Sequence, residues 1–527
     1  MSANIVLLGS ILLVFMALVG ILSYYGYCST RSSKDYLVGG NSVHPFVMAM
    51  SYGAAFISTS AIVGFGGMAG VYGLGLLWLP FMNIAVGVLI AFLVFGRRTR
   101  RIGQKLDANT FPEFIGMRFQ SRWIKVLLAA IVVVFMPIYS GVVLIGGARF
   151  VEQALNIDYN LALLIFAAVV AVYVSFGGIK AVMYVDALLG VIMVLGMLSL
   201  LVMTYKELGG ITSAHQALSD MRPLVPENLA RLGHEGWTNM PRANSQWSWT
   251  LISSLILGVG IGALAQPQLA VRFMTVKSGK QLNRAVLVGS VFILCTAGIA
   301  YVVGALSNVW FLRHGQGIAL EAAGGNADLI IPKFIDLAMP KAFVYVFMLT
   351  LLSAAMSTLS SLVHVNGSSL GYDLGRTLSG DRVDSKKITR IGMIIGMLGS
   401  IAVAYIFPAG IVARGTAIFF GVCAASFLPT YAAALYWKRA TRAGVWASVA
   451  VGATVSMFGL AFLHISESKA LGICRLIFGK DVLVNAFPWP FVDTLCYALP
   501  LSTAALIVVS LVTKAPDQEH INKCFDK

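Results

Sequence analysis

Long apolar runs separated by short polar stretches repeat from one end of the chain to the other. Each run holds about twenty predominantly apolar residues, the length an α-helix needs to cross the hydrocarbon of a bilayer. The pattern predicts about thirteen membrane-spanning helices, near residues 4–27, 45–71, 74–96, 124–148, 160–177, 182–204, 247–270, 285–310, 342–372, 391–408, 413–436, 443–464 and 490–512. Composition agrees: 58% of the 527 residues are hydrophobic and 11% are charged, and mean hydropathy is +0.83. The fold class is therefore an all-α polytopic membrane protein.

Three runs depart from what lipid would select. In the ninth, Leu352–Ser361, the positions of Ala354, Ser357, Thr358 and Ser361 follow i, i+3, i+4, i+7 and share one helix face. Inside a bilayer a hydroxyl must find a partner within the protein. A stripe of neutral oxygens suits a hard monovalent cation, whose hydration shell they replace without trapping it; equally, small residues let helices pack closely. The second run, Ser51–Gly67, and the seventh, Leu257–Gln268, carry Gly, Ser, Thr and Pro where a lipid-facing helix would carry Leu. Each opens a block of five runs, 2–6 and 7–11. Interrupted helices at matching places in two halves are the sequence sign of a transporter built from inverted repeats; Gly-rich packing helices are the alternative. One carboxylate, Asp186, begins the sixth run. An intramembrane acid points to function by default, against which stands a headgroup-level pair with Lys180. Asp493, near the start of the last run, reads as interfacial.

The net charge of +16 points to topology rather than to nucleic acid. Alternate loops, taken from 28–44 onward, hold 26 of the 38 Lys and Arg. They are two in 28–44, eight from Arg97 to Lys125, Lys180, four from Arg272 to Arg284, five from Arg376 to Arg390, three from Lys438 to Arg442 and three in the tail. The positive-inside rule makes those loops cytoplasmic, with the N-terminus outside and the C-terminus inside. The first run has no Lys or Arg before it, so it reads as a retained helix and not a cleaved leader. The six Cys are scattered without a metal or disulfide pattern. No P-loop, HExxH or dinucleotide turn is present, so an enzyme is not expected.

Further marks come in a fixed order. Tyr36-Leu-Val-Gly-Gly40 precedes the second run, and Ala54-Ala-Phe-Ile-Ser58 lies within it. Then follow Tyr139 with Gly147-Ala-Arg149, Gly177-Gly178 with Ala181-Val182 and Asp186, Gln266-Pro267 with Arg272-Phe-Met274, and Ala354-Ala-Met-Ser-Thr-Leu-Ser360. In this order and spacing the chain resembles the sodium:solute symporter family over about residues 34–440. The resemblance implies a LeuT-like core of five plus five helices in inverted repeat. Its parts would be an extra N-terminal helix and cytoplasmic loop (1–44), a first repeat (45–204), an external loop (205–246), a second repeat (247–436), two C-terminal helices (437–513) and a cytoplasmic tail (514–527). It implies sodium as the coupled ion, held by the carbonyls of Ala54, Ile57 and Ala354 and the hydroxyls of Ser357 and Thr358. A second sodium, filled in part of the family, would use Ser357, Ser360, Ser361 and Asp186.

Departures from the family bear on the solute. Sugar carriers have Gln and Glu where this chain has Ala61 and Pro80; proline carriers have Trp and Tyr where it has Val259 and Ala263, although Tyr139 matches their tyrosine. The sialic acid type has an Arg in the fourth run, and none lies between Met136 and Gly147; a family Gln three residues after the aspartate is Leu189 here. The expected pocket is small and mostly apolar, bounded by Ser58, Thr59, Tyr139 and Gln266. The leading expectation is a sodium-coupled importer of a monocarboxylate or pantothenate-like anion, since the wording Ile145-Gly-Gly-Ala-Arg149 is similar in that branch. A sodium/proline-type symporter is the alternative, and a transporter-like sensory receptor the alternative of another class; only fourteen residues follow Thr513, which favours transport. The expected partners are solute, sodium and the bilayer of a bacterial or archaeal cytoplasmic membrane, with no nucleic acid.

Overall fold

The computed structural model describes residues 2–41, 43–276, 278–380, 384–408 and 410–525, and the fold is helical throughout. Lys277, Arg382 and Lys527 of the basic loops lie outside the described residues. Among the described residues, eleven helical segments are long and apolar enough to cross a membrane. The expected thirteen do not appear as thirteen separate long helices, and the reasons are local.

After α1 (Ser2–Cys28), the second expected span divides into α2 (Pro45–Phe56) and α3 (Phe65–Tyr72). Ile57 is extended, with φ −93° and ψ 101°. The run Ser58-Thr59-Ser60 sits at the break, where hydroxyl side chains compete with the helix for backbone partners: Ser60 N–H donates to Ser58 Oγ at 3.1 Å, and Thr59 Oγ1 donates to the Val143 carbonyl at 2.8 Å. The chain runs on into α4 (Asn83–Gly96) past Gly73, whose φ of 76° an L side chain rarely adopts. α5 spans Arg122–Leu155. The fifth and sixth expected spans are one long helical run, α6 (Tyr159–Glu207), kinked at Gly178 with φ 63°. There Tyr36 packs so close that a Cβ would collide with its ring.

In the second half α7 (Gln246–Ala265) breaks at Gln266, which is extended (ψ 116°). Pro267 supplies the cause: it has no N–H and pushes the preceding residue out of the helical region. α8 (Pro267–Ala270) continues beyond the break. Then come α9 (Leu282–Arg313), α10 (Lys341–Ser368), α11 (Ser385–Ile406), α12 (Val412–Tyr436), α13 (Arg442–Phe458) and α14 (Leu495–Val512).

α10 packs against α5, α6 and α2, and α12 against the end of α7. The most apolar stretch of α12 is 83% buried, whereas that of α1 is 17% and that of α14 28%. The broken helices and α10 and α12 thus form the centre, with the first and last helices outside it. The glycines of the second span also serve packing: a Cβ on Gly304 of α9 would collide with the Gly66 carbonyl of α3.

Candidate ion and solute site

The carbonyls of Ala54 and Ala55 belong to the last turn of α2, where the break ends the helix, and the hydroxyl stripe of α10 faces them. Ser357 Oγ donates to the Ala54 carbonyl at 2.8 Å and lies 3.2 Å from that of Ala354. Thr358 Oγ1 lies 3.4 Å from the carbonyls of both Ala54 and Ala55. Ile57 sits at the break itself. Five neutral oxygen groups from two helices therefore come together, with Ile57 beside them at the break, and each of the residues involved is 1% exposed or less. Such a set of dipoles can coordinate a desolvated monovalent cation without a full countercharge.

Deeper along α10 the chemistry changes. Asp186 and Arg272 form an ion pair at 3.0 Å, with both side chains fully buried. Ser51 Oγ donates to Asp186 Oδ2 at 2.8 Å and accepts from Arg272 Nε at 3.0 Å. Arg272 Nη2 also donates to Ser361 Oγ at 2.6 Å, and Nη1 to the Gln268 carbonyl at 2.5 Å. Ser360 Oγ lies 3.4 Å from Asp186 Oδ1. Lys180 is not the partner of Asp186; it pairs with Asp35 at 3.3 Å.

On the other side of the α2 break, Tyr139 of α5 donates to Ser58 Oγ at 3.4 Å. Its ring stacks on Phe419 (centroids 5.1 Å apart) and meets Phe420 edge-on (5.4 Å), both from α12. Phe56 adds a further contact with Phe420. Gln266 is engaged within its own broken helix: Nε2 donates to the Gly262 carbonyl at 3.1 Å, and Oε1 accepts from Gln268 at 3.1 Å. The structure thus brings Ser58 and Tyr139 together, with Thr59 turned to α5 and Gln266 closing the second break.

A model of the sodium:solute symporter family matches residues 36–452. The chain belongs to the sodium:solute symporter family. This symporter is 27% identical to the osmoregulated proline transporter of Bacillus subtilis (strain 168), over 98% of the chain and 96% of that protein. It is likewise 27% identical to a sodium/proline symporter of Staphylococcus aureus (strain JH9), over 97% of the chain and 94% of that protein. Its fold is similar to that of a Na+-coupled sialic acid symporter solved substrate-bound and outward-open, with TM-score 0.73 and 16% identity over 98% of both chains. A nucleobase-cation-symport-1 family transporter in a closed conformation gives TM-score 0.50 at 13% identity, over 94% of this chain and 99% of that one. The LeuT-like fold expected from the sequence is thereby shown. The symporter is a multi-pass membrane transporter, not an enzyme, and couples solute movement to sodium ion.

Sequence reasoning missed four residues of this centre. Arg272, counted there with the loop charges, is 0% exposed; its place six residues past the Gln266 break was the available signal. Ser51 joins the Asp186 pair. Phe419 and Phe420 supply an aromatic wall from α12, whereas Val259 and Ala263 on α7 had suggested that aromatic cover was lost. Asp493, read as interfacial, is 8% exposed and accepts from Leu495 N–H, at the start of α14, at 2.8 Å.

Proposed function

We propose that this symporter imports a small zwitterionic solute of the proline type together with sodium, across a bacterial cytoplasmic membrane. The observation that carries the reading is the meeting, at the α2 break, of freed carbonyls and α10 hydroxyls on one side with the Tyr139–Phe419–Phe420 wall on the other. Sodium would be held by Ala54, Ile57, Ala354, Ser357 and Thr358, and the solute by Ser58, Thr59, Tyr139 and Gln266. The half-helix that starts at the break carries partial positive charge at its N-terminus, which suits a carboxylate without an Arg. Aromatic faces attract an ammonium group and pack against a saturated ring. A proline-type solute offers all three groups. The names of the two 27%-identical relatives support the same choice.

Sodium bound across α2 and α10 would stabilise the outward-facing arrangement and complete the solute pocket, and its release into low cytoplasmic sodium would favour the inward-facing one. The coupling lies in the preference of each ligand for one state. The orientation that fits the basic loops has the N-terminus outside, and the 45–204 and 247–436 blocks would act as the two inverted repeats.

A monocarboxylate or pantothenate-like anion is the second reading, favoured by the stretch Ile145-Gly-Gly-Ala-Arg149. Thermal unfolding of the purified protein with L-proline, propionate, pantothenate and glucose, each with and without sodium, separates the readings, because a ligand of the folded state raises apparent stability by mass action. A sodium-dependent rise with L-proline alone is expected. A rise with propionate or pantothenate and none with L-proline would replace the first reading by the second, and one with glucose alone would overturn both.

A further inference from the structure

The four residues that resemblance assigns to a second sodium are Ser357, Ser360, Ser361 and Asp186. In the structure, Nη2 of Arg272 lies 3.0 Å from Asp186 Oδ2 and 2.6 Å from Ser361 Oγ. One nitrogen therefore bonds two of the four at the distances of charge-assisted hydrogen bonds. The guanidinium is fixed there from both ends. Nε is held by Ser51 and Nη1 by the carbonyl of Gln268, one helical turn before it. Both charges are fully buried.

Charge balance decides what such a site can accept. Asp186 brings one negative charge and Arg272 one positive charge, so the cluster is neutral as it stands. Adding sodium would leave a net positive charge in a medium of low dielectric, next to a guanidinium that cannot deprotonate. The ion would also have to displace the nitrogen from Asp186 and Ser361. By contrast, among the described residues the Ala54–Ser357–Thr358 oxygens have no cationic side chain as a hydrogen-bond partner.

We propose that Arg272 is the resident cation of the Asp186–Ser360–Ser361 position, so that this symporter binds and carries one sodium ion per solute. The consequence rests on the assignment of the first sodium to the α2 break. Arg272 acts as a positioning residue: it holds Asp186 and the inner end of α10 in register with α8, and it sets the ion count by filling the place of an ion. The cation contributed by the chain cannot leave with the solute, so it adds nothing to the driving force drawn from the sodium gradient.

The test is equilibrium binding of radioactive sodium to the purified full-length protein without solute. Wild type is expected to bind one ion per chain, and Ser357→Ala to bind none at the same concentration. Two ions per wild-type chain would overturn the proposal while leaving the first site standing. No bound ion in wild type would remove the first site, and the proposal with it. Arg272→Gln, which frees the Asp186 carboxylate, is expected to bind two ions, and Arg272→Lys one. A folded Arg272→Gln protein that still binds one ion would overturn the proposal; if that variant does not fold, the wild-type count decides alone.

Discussion

On α10, Ser357 and Thr358 turn their hydroxyls to carbonyls freed by the break in α2, while one turn further on Ser360 and Ser361 lie against Asp186 and the guanidinium of Arg272. The two clusters share a helix, full burial and a serine-rich composition. They differ in how positive charge is supplied. The first is a set of neutral dipoles, the kind of environment that suits a cation exchanging with solution. In the second a carboxylate and a covalently tethered cation satisfy each other. Hydroxyl spacing alone therefore does not identify an ion site; what matters is whether the chain has already placed a charge among the oxygens.

The largest effect is expected where that internal charge is broken. Arg272→Ala leaves the Asp186 carboxylate buried and unpaired, which costs about 3–5 kcal/mol. Chemical denaturation should show that loss, and the double variant Asp186→Leu/Arg272→Met should recover most of it, since apolar replacement of a buried pair is often close to neutral. A single variant as stable as wild type would mean that the pair contributes nothing to the core.

Next comes sodium itself. At a concentration 100 times its dissociation constant a ligand stabilises the folded state by about 2.7 kcal/mol, so removing sodium should lower the melting temperature of wild type. Ser357→Ala and Thr358→Ala should each lose most of this response and raise the half-saturating sodium concentration for uptake about tenfold or more, with expression near normal. An unchanged sodium dependence in both variants would erase the distinction drawn between the clusters.

A smaller change is expected at Tyr139. Loss of its hydroxyl in Tyr139→Phe removes a hydrogen bond that contributes about 0.5–1.5 kcal/mol, so solute affinity should fall about two- to tenfold while sodium binding without solute stays at the wild-type value. Equal loss of both would tie Tyr139 to the ion and not to the solute.

Lys180 gives the smallest. Its pair with Asp35 is partly exposed, at 13% and 20% of the side chains, and such pairs contribute at most about 1 kcal/mol. Lys180→Ala should therefore leave sodium binding unchanged and barely shift the unfolding midpoint. If it destabilised the protein as much as Arg272→Ala, the partner of Asp186 would have to be reassigned.

Much of the architecture was legible before any contact was known. Apolar run length located the regions that cross the membrane, and the polar, Gly- and Pro-interrupted stretches Ser51–Gly67 and Leu257–Gln268 contain both breaks, because side-chain competition and the missing proline N–H act locally. The count of separate long helices was less legible: whether the chain turns at Gly73 or kinks at Gly178 depends on left-handed backbone that glycine permits but does not require. In the site, the facing of Ser357 and Thr358 with Ala54 followed from family resemblance and agrees with the observed hydrogen bonds, while Arg272 was misread as a loop charge. Apart from its place six residues past the Gln266 break, nothing in the sequence around Arg272 distinguishes a guanidinium that reaches the cytoplasm from one that turns inward to an aspartate 86 residues away.

By itself, then, the sequence determined the helical class, the places where helices must break and the supply of neutral oxygens on α10, since each follows from forces acting over one or two turns. Only the tertiary structure decided which charge Asp186 meets, which aromatic rings cover Tyr139 and which of two serine-rich clusters is left without a cation of its own. Those outcomes depend on which helices lie side by side. Neighbours in a helical bundle are selected by the packing of whole faces and by the requirement that every buried charge find its opposite, neither of which is written in the spacing of residues along one helix.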